Sequence, residues 1–240
     1  MDSFASMLVD ELDALGIPCT DDQAALLLKH LGLVIETNKT TNLTRIDTFG
    51  DGIYLHLIDS VICSQSIAAL PHHGRILDLG TGGGFPGIPL AVMLGSNVTL
   101  LDSIGKKVSA VASFIHELGL DDRCQAICSR SEELALMQPS SFDVVVARAV
   151  AQTNVLVEYA APLLNDGGTL CTWKANIDDA ELVAAERAAD ICGMRIVSRE
   201  TYELPKGYGH REIIYIEKNG EPKIKLPRRN GMATKRPLGL

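Results

Sequence analysis

The residues best spaced for chemistry lie between Arg75 and Asp102. Two carboxylates, Asp78 and Asp102, flank a cluster of glycines at Gly80, Gly82, Gly83 and Gly84. Glycine admits positive φ and lets backbone approach a ligand where a Cβ would block it. An apolar run over 76–79 precedes the cluster, helix-compatible residues over about 87–94 follow it, and a second apolar run ends on Asp102. Strand, tight turn, helix and a strand ending in an acid make a βαβ unit able to hold a nucleoside-containing cofactor. Arg148 stands in an otherwise apolar run, and an arginine buried there needs a carboxylate or a ligand as partner. The six cysteines, at 19, 63, 124, 128, 171 and 192, form no Cys-x-x-Cys pair and sit mostly in apolar runs. They are expected to be reduced structural thiols, with neither a metal site nor a disulfide framework.

The glycine loop has two parses. Gly82-Gly83-Gly84-Phe85-Pro86-Gly87 fits the G-x-G-x-x-G spacing of a dinucleotide site, with Asp102 at a suitable distance beyond. The other parse, Asp78-x-Gly80-x-Gly82-x-Gly84, resembles the loop of S-adenosylmethionine-dependent methyltransferases. There the acid closing the second strand holds both ribose hydroxyls, which gives Asp102 its role. In this parse Asp78 sits near the cofactor's ammonium, whereas it would repel a pyrophosphate. Pro86 also puts a ring where a dinucleotide site needs open backbone amides. The methyltransferase parse is preferred, and an NAD-dependent oxidoreductase is the lesser alternative.

These groups need a scaffold. Residues 3–15 place Phe4, Leu8, Leu12 and Leu15 on one helical face, and Thr20 with Gln23 reads as a capping box opening a helix to about residue 36. A further helix is expected over 51–69, with His56 and Asp59 three apart on one face and suited to a helix-to-sheet hydrogen bond. From Arg75 strands are expected near 75–79, 97–102, 124–128, 142–147, 168–173, 194–201 and 211–217. Helices over 87–94, 105–118, 152–164 and 178–192 fall between them. Continuous runs such as Val144-Val145-Val146 mark a mostly parallel sheet covered on both faces. Only a turn over 203–209 joins the last two strands, so the sheet should end in an antiparallel hairpin. The expected fold is α/β, the Rossmann-like seven-stranded sheet of class I S-adenosylmethionine-dependent methyltransferases. Residues 1–72 would be a helical extension packed on the core, 73–220 the methyltransferase domain, and 221–240 a poorly ordered basic tail.

With 46% apolar and 22% charged residues the 240-residue chain has an ordinary globular composition. It contains no run of eighteen apolar residues, and Met-Asp-Ser-Phe-Ala-Ser lacks the pattern of a signal peptide, so a cytoplasmic location away from membranes is expected. The net charge of −8 is unevenly placed: residues 221–240 carry six basic residues against one acid, leaving 16 basic and 29 acidic residues before them. Only the tail side of such a molecule would attract phosphates. Lys106, Lys107, Arg228 and Arg229 are the candidate RNA contacts, supplying affinity and not sequence choice.

The stretch from Asp78 through Gly84-Phe85-Pro86-Gly87-Ile88-Pro89 to Ala91 resembles the signature of the RsmG (GidB) family. Further landmarks follow in order over nearly the whole chain: Asn42-Leu43-Thr44, His56 to Ser60, Leu101 to Lys107, Ser129 to Glu133, Ala147-Arg148-Ala149 and Pro227 to Gly231. Two positions depart from it, Lys107 where arginine is more usual and Ala175 where glycine is. The resemblance implies methylation of nitrogen-7 of a guanine in the 530 loop of bacterial 16S ribosomal RNA, at rRNA position 527, with S-adenosylmethionine as cofactor and 16S rRNA or the small ribosomal subunit as partner. It implies that Gly80, Gly82 and Phe85 contact the cofactor, that Ser131 and Glu132 border the adenine, and that Arg148 lines the site. A monomer with no obligate protein partner is expected.

Methyl transfer from a sulfonium is a direct displacement, so alignment is the main task. Nitrogen-7 carries a lone pair and no proton, so no general base, covalent intermediate or essential cysteine is expected, and no catalytic residue is assigned. Phe85, Trp173 and Tyr208 are candidates to stack on an exposed base. The competing reading is a module that binds S-adenosylmethionine or RNA in ribosome assembly without transfer.

Overall fold

The computed structural model describes residues 2–240, with side chains from Ser3 onward. Seven strands form one sheet: β1 (Arg75–Leu79), β2 (Asn97–Asp102), β3 (Cys124–Cys128), β4 (Phe142–Arg148), β5 (Leu164–Lys174), β6 (Met194–Leu204) and β7 (Gly209–Lys218). Their order is β3-β2-β1-β4-β5-β7-β6, with β7 alone antiparallel to its neighbours. The expected terminal hairpin is therefore present. The chain winds outward from β1 in one direction and from β4 in the other, which opens a crevice at the carboxyl ends of these two strands.

Alternation along the strands builds a core on each face. Ile76, Val144, Val146, Cys171 and Ile213 pack toward α6 (Gly87–Leu94), α7 (Gly105–Glu117) and the N-terminal helices. Leu77, Val145, Ala147, Leu170 and Ile214 pack the other way, toward α9 (Thr153–Ala160) and α10 (Asp179–Ile191). The N-terminal helices α1 (Asp2–Ala14) and α2 (Asp21–Asn38) share the first core: Leu8, Leu12, Leu27 and Leu31 are fully buried, each worth about 1.5–3 kcal/mol of burial. The capping box forms as expected, with Gln23 N donating to Thr20 Oγ1 at 3.2 Å and Thr20 N to Gln23 Oε1 at 3.0 Å.

The expected helix over 51–69 is broken. α3 (Phe49–Gly52) passes through a π-helical segment (Ile53–Ile58) into α4 (Asp59–Val61), and α5 (Ser64–Ala68) follows. A widened turn of this kind is frequent at functional sites. Here it brings the Leu55 carbonyl, His56 and Asp59 within reach of one guanidinium, that of Arg148. A short α8 (Ser131–Met137), not anticipated as an element, follows β3.

The tail expected to be poorly ordered is instead fixed to the body. Arg228 forms a bidentate pair with Glu158 of α9, Asn230 Nδ2 donates to Glu133 Oε1 at 2.6 Å, and Gly231 N donates to Glu132 Oε1 at 2.8 Å. The body's excess acid explains the difference, since Arg228, the Asn230 amide and the Gly231 N–H find carboxylates on α8 and α9, of which Glu132 and Glu158 are buried.

Candidate active site

The loop after β1 is held from below and from the side. Gly80 N and Thr81 N donate to Leu101 O at the end of β2, at 2.8 and 2.9 Å. Asp78 is fully buried, and its Oδ2 accepts from Thr81 Oγ1 at 2.6 Å and Gly87 N at 2.8 Å. Desolvation raises its pKa to about 6, partly opposed by those hydrogen bonds. Asp78, expected near a ligand ammonium, lines neither of the two cavities beside the loop: the carboxylate lies beneath the loop and ties it to the start of α6. Gly87 is required there, because a Cβ would come within 2.6 Å of Asp78 Oδ2.

Two adjoining cavities open at the carboxyl ends of the strands. The smaller, of about 280 Å³, is lined by Gly80, Asp102, Ser131, Glu132, Val150 and Tyr159, among others. Asp102 is almost buried, with Oδ2 accepting from Gly82 N at 3.2 Å and Oδ1 from Ile104 N at 2.9 Å. The carboxylate therefore joins the glycine loop to the entry of α7, and each oxygen keeps capacity for a further donor. Glu132 is held by Gly231 N and by Ser131 Oγ, which donates to Oε2 at 3.1 Å. Val150 leans over Gly80 so closely that a Cβ there would lie 2.6 Å from Val150 Cγ2. Ala149, next to it, holds a left-handed φ of 57°. Strained backbone of this kind gathers at ligand sites.

The larger cavity, of about 810 Å³, is lined by Thr44, Arg45, His56, Arg148, Lys174 and Arg211, among others. The two cavities share Gly80, Lys107 and Ala149. Asp59, nearly buried, accepts from Arg148 Nη1 at 2.7 Å and from Arg211 Nε at 2.8 Å. The partner that Arg148 requires is thus Asp59, and His56 and Asp59 form the helix-to-sheet link. His56 and His30 pack on Phe85, with ring centroids 4.3 and 4.5 Å away. Desolvation lowers the pKa of His56 to about 3, helped by the nearby Arg148 charge, and that of His30 to about 4.

The structure brings Gly80, Asp102, Ser131 and Glu132 to the smaller cavity, and Gly80, Gly82, Phe85 and Arg148 to the larger. It separates the lysine pair: Lys107 borders both cavities, while Lys106 is exposed and borders neither. Arg228 is spent on Glu158, whereas Arg229 is exposed. Of the stacking candidates, Trp173 is buried and its Nε1 donates to Asp59 O at 2.8 Å, while Tyr208 stacks on Tyr54 and lines neither cavity. No cysteine lines either cavity, and burial pushes the Cys124 and Cys192 thiols up to about 11 and 12. The sequence reading missed Arg45, Lys174 and Arg211, which come from three distant segments. Their signal is faint: a cation at the cavity end of a strand or loop.

A family model described as GidB, rRNA small subunit methyltransferase G, matches residues 23–207. The chain belongs to this family. A ribosomal RNA small subunit methyltransferase G from Alkaliphilus metalliredigens is 34% identical over 97% of this chain and 98% of its own. One from Deinococcus radiodurans is 38% identical over 87% of this chain and 83% of its own. Among solved structures, an O-methyltransferase from Bacillus cereus in complex with SAH superposes with a TM-score of 0.55 at 19% identity, covering 90% of this chain and 99% of that one. A Burkholderia thailandensis 1,6-didemethyltoxoflavin-N1-methyltransferase superposes with a TM-score of 0.53 at 16% identity, covering 71% and 82%. The fold is that of the S-adenosylmethionine-dependent methyltransferases, as the sheet order and reversed strand also indicate.

Proposed function

We propose that this protein transfers a methyl group from S-adenosylmethionine to nitrogen-7 of a guanine in the 530 loop of 16S rRNA. The observation that carries the reading is the meeting of a nucleoside-sized cavity and a basic cavity at Gly80, Lys107 and Ala149. Family membership and the names of the relatives support the RNA substrate. The residues fit the cofactor: Asp102 offers carboxylate oxygens for ribose hydroxyls, the loop at Gly80 and Gly82 lets backbone approach, and Ser131 with Glu132 closes the far wall. Bound S-adenosylmethionine supplies an activated methyl group.

The chain's own part is alignment and electrostatics. Arg45, Lys107, Arg148, Lys174 and Arg211 line the larger cavity; Asp59 pairs with Arg148 and Arg211 and Glu181 with Lys174, which leaves its wall net positive. This net positive charge lets an acidic body receive a phosphate backbone, with Arg229 as an additional contact. Nitrogen-7 needs no deprotonation, and the described cavity walls offer neither a thiol nor a histidine that would be protonated at neutral pH. Direct displacement within an aligned pair is the chemistry that fits.

The test is incubation of pure protein with methyl-labelled S-adenosylmethionine and small-subunit rRNA lacking the modification. Label in the RNA supports the proposal. Cofactor binding without label transfer would support a non-catalytic module, and thermal protection by NAD with no response to S-adenosylhomocysteine would support an oxidoreductase.

A further inference from the structure

The hydrogen bonds around Thr44 fix the direction of its hydroxyl. Asn38 clamps the backbone there: its Oδ1 accepts from Leu43 N and Thr44 N at 2.8 and 3.0 Å, and its Nδ2 donates to Thr44 O at 3.0 Å. Thr44 Oγ1 accepts from Ile46 N at 3.1 Å. It also lies 2.9 Å from His56 Nε2, while His56 Nδ1 lies 3.2 Å from Arg148 Nη2. A guanidinium only donates, so Nδ1 is the acceptor and the neutral ring carries its proton on Nε2. Burial and the Arg148 charge keep this ring neutral throughout the physiological range. Nε2 then donates to Thr44 Oγ1. Both lone pairs of that oxygen are taken, by Ile46 and by His56, and the hydroxyl can only donate. No acceptor for it occurs among the described residues, and Thr44 lines the larger cavity.

We infer that the Thr44 hydroxyl is a specificity-determining donor that binds the 6-oxo group of the target guanine. This rests on the larger cavity being the acceptor site. Guanine presents N7 and O6 as neighbouring acceptors on one edge, whereas adenine presents N7 beside an amino donor. With N7 turned to the incoming methyl group, O6 is the remaining handle on that edge. A hydroxyl locked as a donor donates to O6 and would leave a 6-amino group facing another donor. Arg148, His56 and Thr44 thus form a relay of orientation, in which a charge on β4 sets the polarity of one hydroxyl on the loop after α2.

The test pairs Thr44→Val and Thr44→Ser with RNA carrying guanosine or 2-aminopurine riboside at the target position. Thr44→Val keeps shape but removes both the donor and the acceptor of Ile46 N and His56 Nε2, whereas Thr44→Ser keeps the hydroxyl, so the 2-aminopurine comparison separates the lost donor from the local rearrangement. 2-Aminopurine retains N7 and lacks O6. Single-turnover transfer is measured, and stabilisation by S-adenosylhomocysteine monitors fold and cofactor site. Thr44→Val should lower transfer to guanosine about 10- to 100-fold, with S-adenosylhomocysteine stabilisation unchanged, and Thr44→Ser should stay within about threefold of the parent. The parent protein should lose a comparable factor on 2-aminopurine, and Thr44→Val should lose little more there, because the same bond is already absent. Full activity of Thr44→Val, an undiminished second penalty on 2-aminopurine, or loss of S-adenosylhomocysteine stabilisation would overturn the inference. A parent protein that transfers nothing to guanosine RNA would instead overturn the proposed function, and this inference with it.

Discussion

Arg228 and Arg229 are adjacent cations that the structure assigns to different work, and replacing each with alanine separates them. Arg228 donates through Nε to Glu158 Oε1 at 2.7 Å and through Nη2 to Glu158 Oε2 and to Arg236 O. The Glu158 side chain is 4% exposed and that of Arg228 21%. Removing one member of a buried pair costs about 3–5 kcal/mol, because the other charge stays buried without a partner. Water reaching the half-buried arginine site reduces this, so Arg228→Ala should cost about 2–3 kcal/mol. In a chain of this length that lowers Tm by about 5–10 °C. Urea denaturation followed by circular dichroism measures it, and adding Glu158→Gln should return part of the loss. Arg229→Ala should leave stability within about 0.5 kcal/mol while reducing the salt dependence of RNA binding by about one phosphate contact. An Arg228→Ala protein as stable as the parent, or one that Glu158→Gln does not improve, would refute the view that the tail is folded through this pair.

Acid should destabilise the fold. Unfolded His30 and His56 titrate near 6.5, but folded they stay neutral down to about 4 and 3, so protons bind the unfolded chain as pH falls through that window and stability drops. Asp78 acts in the opposite sense, since its folded pKa of about 6 keeps it protonated where the unfolded carboxyl ionises. The net loss between pH 7 and 5 is about 2 kcal/mol, and urea midpoints should show it, with a smaller loss in His30→Gln. Asp102→Ala should weaken S-adenosylhomocysteine binding about 10- to 100-fold by calorimetry, the loss of hydrogen bonds to a charged group. Unchanged affinity would remove Asp102 from the cofactor site. Replacing the six cysteines in combinations that keep the fold should leave methyl transfer intact, and its loss in a folded variant would contradict direct displacement.

The sheet was legible because its strands carry unbroken apolar runs, and because the short turn after β6 leaves no room for a crossover helix. Asp102 was legible as the acid closing β2. The burial of Asp78 beneath the loop was not legible, because spacing tells which residues are near a loop and not which side of it they face. The π-helical segment left no trace in a pattern read at 3.6 residues per turn, so the meeting of Leu55, His56 and Asp59 at Arg148 could not be drawn in full. The basic cavity was hidden for a different reason: Arg45, Lys174 and Arg211 are isolated cations in sequence, and only the topology gathers them. The tail misled in the opposite way, since a run of like charge reads as solvated until its carboxylate partners on α8 and α9 are seen.

The most direct test of the account is to map the methyl group in small-subunit rRNA after reaction with pure protein, by nuclease digestion and mass spectrometry. A single 7-methylguanosine within the 530 loop, formed without any other protein, is the expected product. Methylation of a different base or atom, or of guanines throughout the RNA, would contradict it.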